Sequence, residues 1–524
     1  MKNKIVIILI GLTFVFLSCN HYKQASIRLN YKTAEDLQLI DSSHAGLLKA
    51  HMKNGQLYIF DKSWELNGEE STVSGNSSLY DSNRKLLNTG FHEIAISDVG
   101  IFEANEPLAS LDKKRRDALL TMTIINSVGL VTCIIVPKAC YGSCPTFYYQ
   151  NDDNLNYAKA EGFSSAVAPS LEYTDVDALN NALYVRDNFI LTMKNEAYET
   201  HAVNAVHLLA VKREKGERIF QNEDGQFYKC DKMFPLQSAM AAEGDITDKL
   251  LSIDDLERFS LTDSFDLRKK ETIELTFENK EKIQDAGIVI NFRQTLLSTF
   301  LFYTALGYMG DEVGTIFAEL ESSKLKQNAI KTQLNGLSAM EVRIYNQQTG
   351  KWQLADILSE TGPIAKNLQF VKIPFNCKNQ ETIRVRLIAA KGTLRLDQVA
   401  LANVIDKVTP ITINPKLVSR NGIDDSLALM ELSYNDGDHL TSLPGDTWKI
   451  EYKMPTSNED YELFISSTGY YLEWMRPDWI KEKDLDKLKN MLLKEEDIWR
   501  ALAVEFKTQE WGMESTFWSS KYSQ

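Results

Sequence analysis

Short runs in which apolar and polar residues alternate, each closed by turn formers, recur along nearly the whole chain and confine it to a mainly β fold with helical insertions, a β-rich α+β class. Gly55-Gln-Leu-Tyr-Ile-Phe60 alternates after the hairpin-type turn at Asn54-Gly55, and Glu93-Ile-Ala-Ile-Ser97 repeats the pattern before Val99-Gly-Ile-Phe102. These runs predict a small β-barrel or sandwich over residues 25–110. Strands at Asn188–Lys194 and Tyr198–Val211 fall in a second unit over 111–265. Glu271–Phe277, Ala286–Phe292, Met340–Tyr345, Lys351–Leu354, Phe370–Pro374 and Thr382–Leu387 predict a jelly-roll-like β-sandwich over 266–405, interrupted by helices at Leu296–Leu306 and Val313–Leu334. Residues 406–524 carry strands at Asp446–Lys453 and Tyr461–Ser466. A helical tail follows Pro477, with Leu485, Leu488, Leu492, Trp499, Leu502 and Phe506 at helical spacing. Its tryptophans are expected to anchor the tail onto a sheet. A chain of 524 residues exceeds one hydrophobic core, which agrees with several domains.

The first 18 residues pair Lys2 and Lys4 with an apolar run from Ile5 to Leu17 and end before Cys19. That is a signal peptide (1–18), too short to span a bilayer comfortably. Cys19 directly after Phe16-Leu17-Ser18 resembles a bacterial lipobox. The resemblance implies cleavage before Cys19, a diacylglycerol anchor on its thiol, palmitate-type acylation and a lipidated linker at 19–24. Phe16 and Leu17 depart from the usual lipobox residues. Asn20, where Asp would mark inner-membrane retention, points to the bacterial outer membrane, with the protein facing the periplasm or the cell surface. A formal charge of −14 repels phosphate backbones and anionic headgroups, so the membrane partner is reached through the lipid and nucleic acid is disfavoured.

With Cys19 acylated, Cys133, Cys140, Cys144, Cys230 and Cys377 remain, an odd number for an oxidising compartment. Gly142 lets the chain turn between Cys140 and Cys144, which are expected to form a disulfide. A zinc site from these two with Cys133 and Cys230 is the weaker alternative, and no metal is expected. Lys113-Lys-Arg-Arg116 precedes an uncharged stretch, Ala118–Val136, whose polar residues and β-branched second half favour a helix leading into an interior strand over a second membrane contact.

No phosphate loop, zinc-protease helix, nucleophile elbow or dinucleotide fingerprint is present, and no cofactor is expected. His201 and His207 lie too far apart on a strand to share an ion. Asn435-Asp-Gly-Asp438 reads as a turn rather than half a calcium loop. Glu473 and Asp478 form a candidate glycosidase pair that needs geometry to support it.

Ser143-Cys144-Pro145 with Tyr148, Glu161, Phe163, Pro169-Ser-Leu-Glu172, Thr174-Asp175 and Asn195-Glu-Ala197 resembles a group of bacterial exported proteins that carries no assigned activity. Gly469-Tyr-Tyr471, Glu473-Trp-Met-Arg476 and Phe517-Trp-Ser-Ser520 belong to the same likeness. Leu394-Arg-Leu-Asp397 is similar to the last strands of galactose-binding-like jelly rolls, which bears on fold. The expected function is a lipid-anchored envelope protein that binds or scaffolds, with a carbohydrate or an envelope protein as partner. The alternative is a secreted hydrolase of the glycosidase or peptidase class with acidic residues in an interdomain cleft.

Overall fold

The structure is a computed structural model. It describes residues 26–31, 48–52, 56–107 except 62, 68–70 and 81–85, then 144–149, 158–179, and 187–321 except 198 and 255. It continues over 327–328, 339–359, 362–473 except 421, 443–444 and 457–458, then 475, 479 and 481–520. The signal peptide, Cys19, Cys133, Cys140, the Ala118–Val136 stretch and Asp478 lie outside the described residues.

The N-terminal sheet holds β1 (Ser26–Tyr31), β2 (Leu48–Met52), β3 (Leu57–Phe60), β4 (Glu65–Asn67), β5 (Thr72–Tyr80), β6 (Leu86–Ala95) and β7 (Val99–Pro107). Its strand order is β1-β7-β2-β3-β5-β4, with β6 on β5. The next strands are β8 (Thr146–Tyr148), β9 (Ala160–Glu161), β10 (Tyr173–Ala178), β11 (Asn188–Lys194) and β12 (Glu199–Lys212). They do not close a domain among themselves. Their partners come from the far end of the chain: β25 (Ile411–Ile413), β26 (Leu417–Arg420), β27 (Ile423–Asp424), β28 (Leu440–Ser442), β29 (Thr447–Lys453) and β30 (Tyr461–Glu473). The outer sheet of this split sandwich runs β27-β26-β29-β11-β8-β9, and its inner sheet runs β10-β30-β12-β25 with β28 on β12.

Everything between β12 and β25 is an insertion, a second sandwich. It contains β13 (Arg218–Gln221), β14 (Phe227–Pro235), β15 (Ser238–Ala241), β16 (Gly244–Asp245), β17 (Arg258–Phe259), β18 (Lys270–Glu278) and β19 (Ala286–Gln294). After α1 (Leu297–Met309) and α2 (Val313–Glu321) come β20 (Met340–Asn346), β21 (Lys351–Leu358), β22 (Asn367–Lys372), β23 (Thr382–Ala390) and β24 (Leu394–Val408). Its inner sheet is β13-β14-β24-β19-β22 and its outer sheet β16-β15-β18-β23-β20-β21. The chain ends with α3 (Ser426–Ser433), packed on β12 within the split sandwich, then α4 (Leu485–Leu492) and α5 (Glu496–Ser520).

The expected boundary near 265 is therefore replaced, whereas the one near 405 falls at the end of β24, where the insertion closes. The insertion begins at β13, and the segments before and after it form one discontinuous sandwich. Strand pairing between distant segments leaves no mark in either segment's own periodicity, which is why the chain reads as a linear series of units.

Four sheets stack in order, with three cores between them. Val206, Leu208, Leu463 and Ile465 fill the split sandwich. Ile288, Ile290, Val385 and Leu401 fill the insertion. Between the two inner sheets, Leu209, Val211 and Phe464 meet Phe220, Phe227, Val289, Phe370 and Val404. Aromatic pairs line this middle layer. Phe227 meets Phe464 edge-on at 5.0 Å, and Phe220 stacks on Phe370 at 5.8 Å, each pair adding about 0.5–1.5 kcal/mol beyond its burial. β30 and β19 are buried along their whole length, whereas the outer strands β18 and β20 alternate buried and half-buried positions. A strand covered on both faces reads as continuously apolar, and a strand covered on one face alternates.

The helices pack beside this stack. Leu306 and Met309 of α1 with Val313 and Phe317 of α2 join the core of the split sandwich. Leu297, Phe300 and Leu301 of α1 pack against Trp499, Leu502 and Phe506 of α5. Of the tail's tryptophans, Trp499 packs on helix α1, and Trp511 stacks on Phe259 of β17 at 6.5 Å. Among the described residues no helix is long and apolar enough to cross a membrane.

Candidate functional site

The stretch from Cys144 to Asp175 sits where the two sandwiches meet. Two of its residues hold left-handed backbone conformations unusual for their type, Cys144 at φ 66° and Phe163 at φ 41°. Such positions persist where surrounding contacts fix them. At Phe163 those contacts are visible: its ring packs where a Cβ on Gly469 would stand, 2.8 Å from Cζ, and its N–H donates to Asp175 Oδ2 at 3.0 Å.

Glu161, just before this turn, is buried and points across the junction into the insertion. Its Oε2 accepts the N–H groups of Ile364 and Ala365 at 2.6 and 2.7 Å. The Cys144 thiol lies 3.7 Å from its Oε1. Burial pushes the Glu161 carboxyl up to about 7, although the two backbone donors, Cys144 and the Arg293 guanidinium each pull the other way. The carboxylate comes so close that a Cβ on Gly362 would stand 2.3 Å from its carboxyl carbon. Gly362 is what admits Glu161. Of the expected Cys140–Cys144 pair, Cys140 lies outside the described residues, and Cys144 turns its sulfur to Glu161.

Downstream of Ala365 the same strap is held by ions. Lys366 Nζ donates to Asp397 Oδ2 at 2.7 Å and to the Asp254 carbonyl at 2.6 Å. Glu257 takes both arms of Arg293 at 2.9 Å and lies 3.8 Å from Lys366. Asp397, quoted for its jelly-roll likeness, is completely buried, and burial raises its carboxyl despite Lys366. It braces the strap.

Strap and turn lead into the two walls of a pocket of about 190 Å³ at the edge of the junction. One wall is Tyr173, Thr174 and Asp175 of β10. The other is Asn367, Leu368 and Gln369 of β22, with Gln221, Asn222 and Glu223 closing one end and Phe464 against the inner sheet. Asn222–Gly225 forms the expected turn, with Gly225 N–H to the Asn222 carbonyl at 2.9 Å. The lining mixes four side-chain amides, a hydroxyl and a phenol with apolar surface. Its two carboxylates are already engaged, Asp175 by the Phe163 N–H and Glu223 by the Ser359 N–H at 3.3 Å.

Of the candidate acid pair, Glu473 alone lies among the described residues. Glu473 stands opposite Glu199 in the inner sheet, buried and away from the pocket, and Asp478 is outside the described residues. Beside it His201 Nε2 meets Glu199 Oε1 at 2.7 Å, while Nδ1 has no partner among the described residues. Burial lowers this imidazole to about 3. It is the neutral Nε2–H tautomer donating to Glu199, since a proton on Nδ1 would be buried without an acceptor. A bulge between Val203 and Ala205 sets His201 opposite Tyr471 but His207 opposite Ser466, so the two histidines face opposite sides of the sheet.

The bulge residue, Asn204, donates to Glu172 Oε1 at 3.2 Å and to Asn435 Oδ1 at 2.8 Å, and accepts the Gly437 N–H at 3.3 Å. His439 Nε2 lies 3.0 Å from the same Glu172 oxygen. The Asn435–Asp438 turn is thereby pinned to the sheet. No group of three or more metal-binding side chains gathers among the described residues.

A second cavity, about 150 Å³, lies among α1, α2, α4 and α5 and is lined almost wholly by apolar side chains such as Leu301, Phe302, Phe317, Met491 and Trp499.

Sequence reading identified the turn at Asn222 and the Thr174-Asp175 segment but not Asn367, Gln369 or Gln221 as pocket residues. They come from two segments far apart in the chain, and neither carries a motif. No family model matches this chain, and no curated protein matches it. Among solved structures, dimeric latent PorU from Porphyromonas gingivalis aligns with 87% of this chain and 33% of that chain, at 8% identity and a TM-score of 0.15. The chain spans about a third of that structure's length, and so low a score carries no argument about fold or function.

Proposed function

We propose that this chain is an exported, lipid-anchored binding protein of the bacterial outer membrane, and that its junction pocket takes a neutral polyhydroxylated ligand of the carbohydrate class. The amide lining of the pocket carries this reading. Four amides, Gln221, Asn222, Asn367 and Gln369, line it; an amide carries both donors and an acceptor, which suits vicinal hydroxyls that donate and accept together, although the Asn222 oxygen already takes the Gln226 N–H at 2.8 Å. Tyr173 and Phe464 supply apolar surface for a sugar's C–H face. A strongly acidic chain favours neutral ligands over anions.

Titration calorimetry of the mature chain with glucose, galactose, N-acetylglucosamine and cellobiose tests the ligand class. Binding by at least one of them, weakened about tenfold in Asn367→Ala, a loss of about 1.4 kcal/mol, supports it. Absence of binding by all four, or binding untouched by Asn367→Ala, overturns it. Mass spectrometry of the mature N-terminus tests the anchor, and an unmodified Cys19 removes it.

A further inference from the structure

The turn at 161–163 touches both walls of the junction pocket. Through Phe163 it holds Asp175, which belongs to the β10 wall. Through Glu161 it holds Ile364 and Ala365, two residues before Asn367 of the β22 wall. We infer that Glu161 is a positioning residue for the pocket, keeping the Asn367–Gln369 wall in place while its carboxyl is protonated and releasing that wall when it ionises. The inference rests on reading the junction pocket as the ligand site, and it adds the regulation of that site.

The geometry supports a switch rather than a fixed strut. The groups facing Glu161 are the Cys144 thiol and the Tyr148 phenol at β8 and the Arg293 guanidinium of β19. Neither β8 group supplies positive charge, and Arg293 is bound at 2.9 Å through each of two nitrogens to Glu257, with a further bond to the Pro363 carbonyl. Ionised Glu161 therefore has two backbone N–H donors and the weak thiol donor of Cys144 in place of water, and no cation of its own. Release of the strap would return water to the carboxyl, and water stabilises the carboxylate better than this site does, so ionisation favours release. The group titrates near neutrality, about 7.

Hydrogen exchange on the full mature chain, at about pH 5.5 and about pH 8.5 and corrected for intrinsic rates, tests this directly. In the wild type, protection of the Ile364 and Ala365 amides is expected to fall about tenfold or more at the higher pH, with the 367–369 segment following. Glu161→Gln, a neutral isostere whose amide oxygen accepts the same two N–H groups, is expected to hold protection at both pH values. A second variant, Gly362→Ala, displaces the carboxylate and is expected to lower protection at both pH values. Were Glu161 merely structural, the wild type would show no pH step, or Glu161→Gln would show the same step as the wild type. Either result overturns the inference. The affinity of whichever of the four sugars binds should weaken over the same pH interval in the wild type and stay level in Glu161→Gln. If no sugar binds, the ligand reading fails while exchange still decides the role of Glu161.

Discussion

Glu161 and His201 are buried ionisable groups whose shifts have opposite consequences for stability. Between its ordinary 4.5 and about 7, Glu161 keeps in the fold a proton that the unfolded chain has lost. Its contribution is complete below pH 4.5 and is lost as pH rises through 7. A shift of that size corresponds to about 3 kcal/mol. Between 6.5 and about 3, His201 refuses a proton that the unfolded chain accepts. Its contribution is complete above pH 6.5 and is lost as pH falls toward 3. Where the two windows overlap, from 4.5 to 6.5, their slopes cancel. Denaturant melts across pH should therefore show a plateau in that interval with a decline on either side. Glu161→Gln should remove the alkaline decline and let stability climb across the former plateau, and His201→Gln should reduce the acid decline and let stability fall across it. An alkaline limb unchanged by Glu161→Gln would refute the assignment. Neither effect was legible in the sequence. Glu161 belonged to a family-like pattern, and His201 read as an ordinary core or surface histidine, because both shifts come from burial that only the stacked sheets create.

At the scale of elements, much was legible where burial is one-sided or complete. Asn188–Lys194 is a strand as expected, and Leu485–Leu492 is a helix at the expected spacing. Tyr461–Ser466 and the segment from Tyr470 merge into the single strand β30, because Ser466, Ser467, Thr468 and Gly469 look like a break but pair without interruption with β10. Gly469 is there because the Ala202 carbonyl lies 2.3 Å from where its Cβ would be. The helices offer a test of packing. Ala305 of α1 lines the apolar cavity, so Ala305→Leu should fill it and raise stability by about 0.5–2 kcal/mol. Leu301→Ala should enlarge the cavity and cost about 2–5 kcal/mol. Thermal and urea melts of the two variants should move in opposite directions. Destabilisation by both would mean that the cavity has no room for added methyl groups.

For the whole molecule, the decisive property is the interleaving of distant segments. β12 lies in its sheet only because β30 and β25 flank it, and β11 has β29 as a neighbour. A chain that stops after Val408 would keep every strand of the insertion yet leave β10, β11 and β12 without those partners. It would also bare Phe227, Phe370 and Val404, which are covered in the stack by Phe464 and its neighbours. Unpaired strand edges and bared apolar faces promote association. Residues 19–408 produced alone should therefore aggregate, and residues 409–524 alone should remain unfolded. Produced together, the two pieces should assemble into a soluble pair with the far-ultraviolet spectrum of the intact chain, since the contacts joining them are those of a core rather than of a surface. A series of independent domains along the chain makes the contrary prediction. In that case 19–408 would be soluble and would melt cooperatively by itself, and adding 409–524 would change nothing. Gel filtration and circular dichroism of the separate and co-produced pieces distinguish the two architectures. The same comparison bears on the pocket, because Phe464 belongs to one piece and Asn367 to the other, so any ligand bound at the junction should be lost by both fragments and regained only by the pair.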